Sequence, residues 1–231
     1  MANTCDNCFN LNKDNNLVQY FIDIIEAKDP YTQGHSHHVR AITEVIYDCL
    51  PENFQSKINK TKLLLAALFH DVGKIKTPDN ILNKDTKLSS EEWKIMKKHP
   101  KDGVDIIKNT IFCDIMDWVL YHHETMDGNG YYGKQGNEIP VESKIIGIAD
   151  TFSALRTYRI YRPAKTIEET IKILNEIKGK QLDEEILEYF LSLDMELLKN
   201  LECNCRICRE RRIALERKLK EENRSVYRAR P

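Results

Sequence analysis

Several side chains of the types that bind transition metals stand at notable positions in the chain. His70-Asp71 ends the apolar run from Leu63 to Phe69, and Asp150 ends a second apolar run, from Ile145 to Ala149. Burying ionisable groups at such places costs several kcal/mol unless partners or a metal ion match them. The candidate set of histidines and carboxylates is His35, His70, Asp71, His99, His122, His123 and Asp150.

Imidazole and carboxylate ligands together favour Fe, Mn, Zn or Ni over Mg or Ca. Adjacent helical residues point about 100° apart, so we expect His122 and His123, taken as helical, to serve two neighbouring ions. Asp71 could bridge both ions while His70 binds one. Two ions about 3.5–4 Å apart suit phosphoester hydrolysis by a bridging hydroxide. The residues favour a helical binuclear metallohydrolase, and a single structural metal or unrelated core histidines stay open as alternatives.

The elements that must position these residues are helices, because strand-type alternation is nearly absent and helical spacing recurs along the chain. Capping boxes are predicted at Ser89 with Glu92 and at Thr166 with Glu169, and Pro100 suits a first helical turn. The sequence therefore predicts an all-α fold. The expected helices cover about 17–28, 39–49, 63–69, 89–98, 100 onwards, 114–123, 142–158, 167–178, 183–192 and 194–201, with a charged helical tail over 206–224.

Composition excludes several classes of protein. Apolar residues make up 41% of the 231 residues, enough for a core. The 35 basic and 36 acidic residues balance to a net charge of -1, which argues against a global grip on duplex nucleic acid. No apolar run approaches the roughly 18–20 residues of a membrane span, and the first ten residues do not resemble a signal peptide. We expect a cytoplasmic protein without a membrane segment.

One stretch interrupts the helical pattern. Residues 126–137 contain four of the nine glycines. A glycine-rich loop between helices can bring its backbone close to a ligand, although composition alone equally fits a plain surface loop.

The spacing of these residues resembles that of a known family. His70-Asp71-Val72-Gly73-Lys74 matches the HD signature of metal-dependent phosphohydrolases, and residues 17–200 resemble HD-GYP domains, the bacterial cyclic-di-GMP phosphodiesterases. The resemblance implies an HD-domain helical bundle with a C-terminal helical extension. The matching segments are EAKDPYTQGHS, LLLAALFHDVGKIKTPDNILNK, KLSSEEWKIMKKHPKDG, YHHETMDGNGYY, IIGIADTFSAL, YRIYR and QLDEEIL.

This resemblance implies a role for each matched position. The metal ligands would be the seven histidines and carboxylates above, with Asp71 bridging two ions, of which Fe or Mn is favoured and Ni or Zn possible. Lys74 would face the scissile phosphate, so Asp71 and Lys74 are the catalytic pair. Arg159, Arg162 and Tyr131 would contact a cyclic dinucleotide, and the products in the family are pGpG and GMP.

The chain also departs from the family pattern. Tyr132 replaces the proline of the GYP tripeptide, Ser153 stands where the family usually has Asp, and His38 replaces an arginine. Tyr31, where three-metal members have Glu, predicts two metals. We expect His37 and His38 at the surface, and Glu124 and Asp127 as groups that order the loop or support the ligands.

These departures leave other functions open. The chain could be a non-catalytic module that senses a cyclic dinucleotide. Its altered loop could instead dock a protein partner or a second copy in a homodimer. A third alternative is an HD hydrolase of another phosphate ester.

The cysteines suggest a second metal site, which the resemblance does not cover. Cys5, Cys8, Cys205 and Cys208 form two CxxC pairs that could share one structural zinc ion and join the chain ends. An iron–sulfur cluster, redox-active thiols or termini too far apart are the alternatives. Cys49 and Cys113 read as small core residues. The predicted division is a Cys-bearing extension over 1–16, a catalytic domain over 17–200 and a Cys-rich charged extension over 201–231.

Overall fold

The computed structural model describes residues 11–28, 34–157 and 163–201. These ranges contain α-helices and short 3-10 turns but no β-strand, so the all-α prediction is confirmed. The helices are α1 (Leu11–Lys28), α2 (His35–Cys49), α3 (Glu52–Gln55), α4 (Lys60–Phe69), α5 (Asp79–Leu82), α6 (Ser90–Met96), α7 (His99–Ile107), α8 (Met116–Leu120), α9 (Val141–Arg156), α10 (Ile167–Ile177), α11 (Glu184–Leu191) and α12 (Met195–Asn200).

Local sequence signals set several of these helix ends. Both predicted capping boxes are present, Ser89 with Glu92 before α6 and Thr166 with Glu169 before α10. Each box satisfies backbone N–H groups that have no partner within the helix. Pro100 lies in the first turn of α7, as predicted.

The fold is built around α4. Its residues from Leu63 to Phe69 are all buried, which confirms the prediction of a central helix that is apolar on every side. α4 packs against α2, α8 and α9, and Phe69 contacts the rings of Phe21 and Phe112. His70 and Asp71 follow α4 directly, so the chain delivers them to the middle of the bundle.

The predicted helix over 114–123 is wrong in its extent. A 3-10 turn at Cys113–Ile115 precedes α8, and α8 ends at Leu120, before the two histidines. The Nδ1–H of His122 donates to the carbonyl oxygen of Val119 over 2.7 Å. That side-chain bond satisfies one of the orphan carbonyls at the helix end and helps to stop the helix there.

None of the helices in the described ranges is both long and apolar enough to cross a membrane. The predicted borders at residues 16/17 and 200/201 stay predictions. Cys49 packs against the core while partly buried, and Cys113 is also partly buried.

Candidate metal centre

Five helices bring the predicted ligands together. His35 is the first residue of α2, and His70 and Asp71 follow α4. His99 begins α7, His122 and His123 follow α8, and Asp150 lies within α9. The turn before His35 has Gly34 in the left-handed region at φ 75°, and the Gly34 N–H donates to Glu26 over 2.7 Å. Helix ends thus supply most of the cluster.

Three imidazoles share one arrangement. The Nδ1–H of His70 donates to the carbonyl of Ala67 over 2.8 Å. His99 donates in the same way to Met96 over 2.9 Å, and His122 to Val119 over 2.7 Å. In each case the imidazole caps a carbonyl three residues earlier. The neutral ring must then carry its lone pair on Nε2, the atom available to a metal ion.

The donor atoms fall into two groups that share Asp71. One group contains His35, His70 and Asp71, and the other contains Asp71, His99, His122 and His123. Within each group the possible ligand atoms lie within 4.8 Å of one another. Asp150 adjoins the first group, with Oδ1 3.1 Å from Nε2 of His35.

The expectation that His122 and His123 serve different ions assumed that both residues are helical, and this assumption is wrong. Both residues lie in the second group, and their ring centroids are 4.0 Å apart. The 100° separation applies only to successive residues of a helix. Because α8 ends at Leu120, the backbone is free to direct both rings to one side.

The two carboxylates are ionised despite their burial. Burial alone would raise the pKa of Asp71, but the Lys74 ammonium and the His70 imidazole hold it well below its usual range. Burial also opposes ionisation of Asp150, but its contact with the His35 imidazole, and then the nearby His70, hold the pKa of Asp150 well below its ordinary value.

Most of the imidazoles are neutral. Burial lowers the pKa of His99 to about 3 and takes that of His122 well below its ordinary value. Burial likewise lowers the pKa of His35 and His123. His70 differs: burial opposes its charge, yet the nearby Asp71 carboxylate raises its pKa. Neutral imidazoles beside two carboxylates are the donor set of a transition-metal site.

An orphaned atom tests whether these residues fit a metal. The Nε2 of His70 is fully buried and forms no hydrogen bond, although it lies 3.3 Å from Asp71 Oδ2 and 4.0 Å from Asp150 Oδ1. A buried polar atom without a partner is costly. An ion between Nε2 and the two carboxylates would satisfy it, so the residues fit.

One side of the cluster is open. His70, His99 and His122 are almost fully buried, whereas Asp150, His123, Lys74 and Tyr131 are partly exposed. Lys74 Nζ donates to Asp71 Oδ2 over 2.6 Å. The Tyr131 ring contacts the ring of His123 at 4.7 Å between centroids, and Lys97 Nζ lies 5.1 Å from the Tyr131 centroid. A ligand would approach from this side.

Glu124 orders the glycine-rich loop, as expected for this position. Its two carboxylate oxygens accept the N–H groups of Tyr132 and Lys134 over 2.7 and 2.6 Å. A Cβ on Gly130 would lie 2.6 Å from the Glu124 Cα, so only glycine fits there. Asp127 also holds the loop, by accepting from Thr125 and from the N–H of Asn129.

Replacing Glu124 with glutamine should loosen this loop. The amide NH₂ of glutamine cannot accept an N–H, so one buried bond is lost at a cost of about 1–3 kcal/mol. Hydrogen–deuterium exchange at 130–134 should accelerate, and urea unfolding should give a lower free energy of unfolding. Glu138→Gln is the matched control, because Glu138 accepts from the loop N–H of Gln135 at an exposed position. Equal effects of the two variants would contradict the role of Glu124.

Several predicted residues cannot be placed. Arg159 and Arg162 lie outside the described residues, as do Tyr31 and the cysteines Cys5, Cys8, Cys205 and Cys208. The contacts of Arg159 and Arg162 with a cyclic dinucleotide, the two-metal inference from Tyr31 and the shared zinc site therefore stay predictions.

The expectation of a surface position is right for His37 and wrong for His38. His37 is exposed, whereas His38 is only 7% exposed and its Nδ1 lies 2.9 Å from Ser153 Oγ. Ser153 in turn lies 3.0 Å from Nδ1 of His35. The spacing held a signal, because His38 follows His35, and Ser153 follows Asp150, by three residues on the same helix face.

Comparisons with known proteins identify the family of this chain. Residues 19–186 match the family model described as HD domain, so the chain belongs to the HD domain family. A cyclic di-GMP phosphodiesterase of Thermotoga maritima is 35% identical over 176 residues, which cover 74% of this chain and 47% of that protein. The 3'3'-cGAMP-specific phosphodiesterase 3 of Vibrio cholerae is 36% identical over 171 residues, covering 73% of this chain and 36% of that protein.

A solved structure supports the fold. Bd1817, an HDG"Y"P protein from Bdellovibrio bacteriovorus, is 18% identical and superposes with a TM-score of 0.53, over 76% of this chain and 59% of that one. The chain spans less than half the length of the two curated relatives above.

Proposed function

We propose that this chain is a metal-dependent phosphodiesterase that hydrolyses a cyclic dinucleotide, c-di-GMP to pGpG and GMP. The observation that carries the proposal is the pair of donor groups that share Asp71. Two ions joined by one carboxylate are the arrangement used for phosphoester hydrolysis. The relative from Thermotoga maritima, named as a cyclic di-GMP phosphodiesterase, supports the choice of substrate.

The donor set favours Fe or Mn, with Ni or Zn as alternatives. His35, His70, Asp71 and Asp150 would hold one ion, and Asp71, His99, His122 and His123 the other. When bound, the ions supply Lewis acidity toward the phosphoryl oxygens and lower the pKa of water.

The chain's own residues then bind and orient the substrate at the open side. Lys74 lies beside Asp71 and presents positive charge to a phosphate there. Burial, and then the Asp71 carboxylate, raises the pKa of Tyr131, so its hydroxyl stays protonated and can donate to a phosphate oxygen. The predicted contacts from Arg159 and Arg162 would complete the charge balance of two phosphates.

Turnover of c-di-GMP tests the proposal. Protein purified without oxygen and supplied with Fe(II) or Mn(II) should release pGpG and then GMP, as followed by chromatography. The double variant His70→Ala with Asp71→Ala should show no turnover, because both donor groups lose a member. His37→Gln, an exposed change near α2's start, is the matched control and should keep full activity.

The relative from Vibrio cholerae favours a second substrate, 3'3'-cGAMP, which the same assay should include. Hydrolysis of 3'3'-cGAMP but not of c-di-GMP would change the proposed substrate and leave the proposed type of reaction unchanged. Binding of cyclic dinucleotides without turnover would contradict the proposal and favour a sensing module.

A further inference from the structure

A series of hydrogen bonds, which we call the relay, extends from His35 of the metal centre to Leu201 at the end of α12. Nδ1 of His35 lies 3.0 Å from Ser153 Oγ, and Ser153 Oγ lies 2.9 Å from Nδ1 of His38. Nε2 of His38 lies 3.2 Å from the carbonyl oxygen of Leu201. The three side chains are 7% exposed or less, and the two bonds to Ser153 are buried, whereas the bond to Leu201 is partly buried.

The carbonyl of Leu201 determines which group donates and which accepts in each hydrogen bond of the relay. A carbonyl oxygen only accepts, so Nε2 of His38 carries the proton. In the neutral ring Nδ1 of His38 then accepts, and the Ser153 hydroxyl donates to it. The oxygen of that hydroxyl accepts from Nδ1–H of His35, which leaves Nε2 of His35 unprotonated.

We propose that Ser153 and His38 are positioning residues that fix His35 in the tautomer able to bind a metal ion. The inference rests on the metal centre of the proposed function. Leu201 is the C-terminal cap of α12, so its carbonyl has no partner within that helix. His70, His99 and His122 reach such carbonyls directly, whereas His35 begins a helix and reaches one through two side chains.

The relay matters because His35 has a competing arrangement. Nε2 of His35 lies 3.1 Å from Oδ1 of Asp150. In the other tautomer Nε2–H would donate to that carboxylate, and two ligands would bind each other in place of a metal. The Ser153 hydroxyl removes this alternative by holding the proton on Nδ1. Loss of such outer partners of metal ligands typically weakens metal affinity by about 10–100-fold.

Metal affinity and imidazole NMR test the relay independently of turnover. Zn(II) serves as the diamagnetic probe for the full chain, titrated in competition with a chelator. Ser153→Ala should bind Zn(II) about 10–100-fold more weakly, and Ser153→Thr, which keeps the hydroxyl, should restore affinity. His37→Gln is the control and should bind as the unmodified chain does.

The ¹⁵N spectrum of the unmodified, Zn(II)-loaded chain decides the direction of the relay. His38 should show the proton on Nε2 and a free lone pair on Nδ1. A proton on Nδ1 of His38, or unchanged Zn(II) affinity in Ser153→Ala, overturns the proposal. If the threonine variant fails to fold, the His38 tautomer still decides.

Failure of the relay and failure of the proposed function are distinguishable. Weaker Zn(II) binding by Ser153→Ala in a chain that hydrolyses no cyclic dinucleotide would support the relay and contradict the proposed function. Turnover by the unmodified chain, with unchanged Zn(II) binding in Ser153→Ala, would support the proposed function and contradict the relay.

Discussion

Asp71→Asn should abolish binding of both metal ions, although it removes only one charge. Asp71 belongs to both donor groups, and an amide is a poor substitute for a carboxylate between two cations. The Lys74 ammonium would also lose the carboxylate that it contacts and would stay beside the ions. We expect the metal held at this centre to fall from two equivalents toward none, and turnover to fall by at least about 1000-fold, which corresponds to about 4 kcal/mol.

A variant of an unshared ligand gives the contrast. His123 belongs to one donor group only, so His123→Gln should retain one equivalent, held by His35, His70, Asp71 and Asp150. Asp105→Asn is the charge-matched control, because this carboxylate pairs with Lys108, directly after α7, at 2.7 Å, and it should keep two equivalents. Retention of one ion in Asp71→Asn would show that the two groups do not depend on one carboxylate.

Much of the fold could be predicted from local signals. The all-apolar run that becomes α4 and the two capping boxes are properties of a few neighbouring residues, and the structure has all three. The gathering of His35, His70 and Asp150 could also be anticipated, because each ionisable group is next to an apolar stretch or within a matched motif.

Features that depend on distant contacts could not be predicted in the same way. The burial of His38 follows from contacts with Ser153 and Leu201, which are 115 and 163 residues away. The three-residue spacing from His35 places His38 on the same helix face, but its burial cannot be read from the sequence until those partners are known. The end of α8 depends on a side-chain bond from His122 to the backbone, which helical periodicity does not report.

Gly73 is a further case, because the HD signature includes it without showing why. The 3-10 turn Val72–Lys76, which follows Asp71, packs against α7. A Cβ on Gly73 would lie 1.8 Å from the carbonyl oxygen of His99 and 2.4 Å from the backbone nitrogen of Gly103. Both obstacles are backbone atoms of α7, so no side-chain rotation relieves the clash.

Gly73→Ala should therefore destabilise the chain severely, by roughly 3 kcal/mol or more, because the turn and α7 must separate. Separation would also draw His99 away from Asp71, whose Oδ1 is 3.3 Å from Nε2 of His99, so metal binding should weaken too. Gly103→Ala is the matched control: its Cβ would meet methyl groups of Val119 and Val72 at 3.2 Å and the backbone nitrogen of Gly73 at 3.4 Å, an ordinary contact distance, and alanine gains about 1 kcal/mol of helix propensity. We expect the free energy of unfolding of Gly103→Ala, measured in urea, to lie within about 1 kcal/mol of that of the unmodified chain. Equal stability of the two variants would mean that the turn and α7 do not pack as closely as the structure shows.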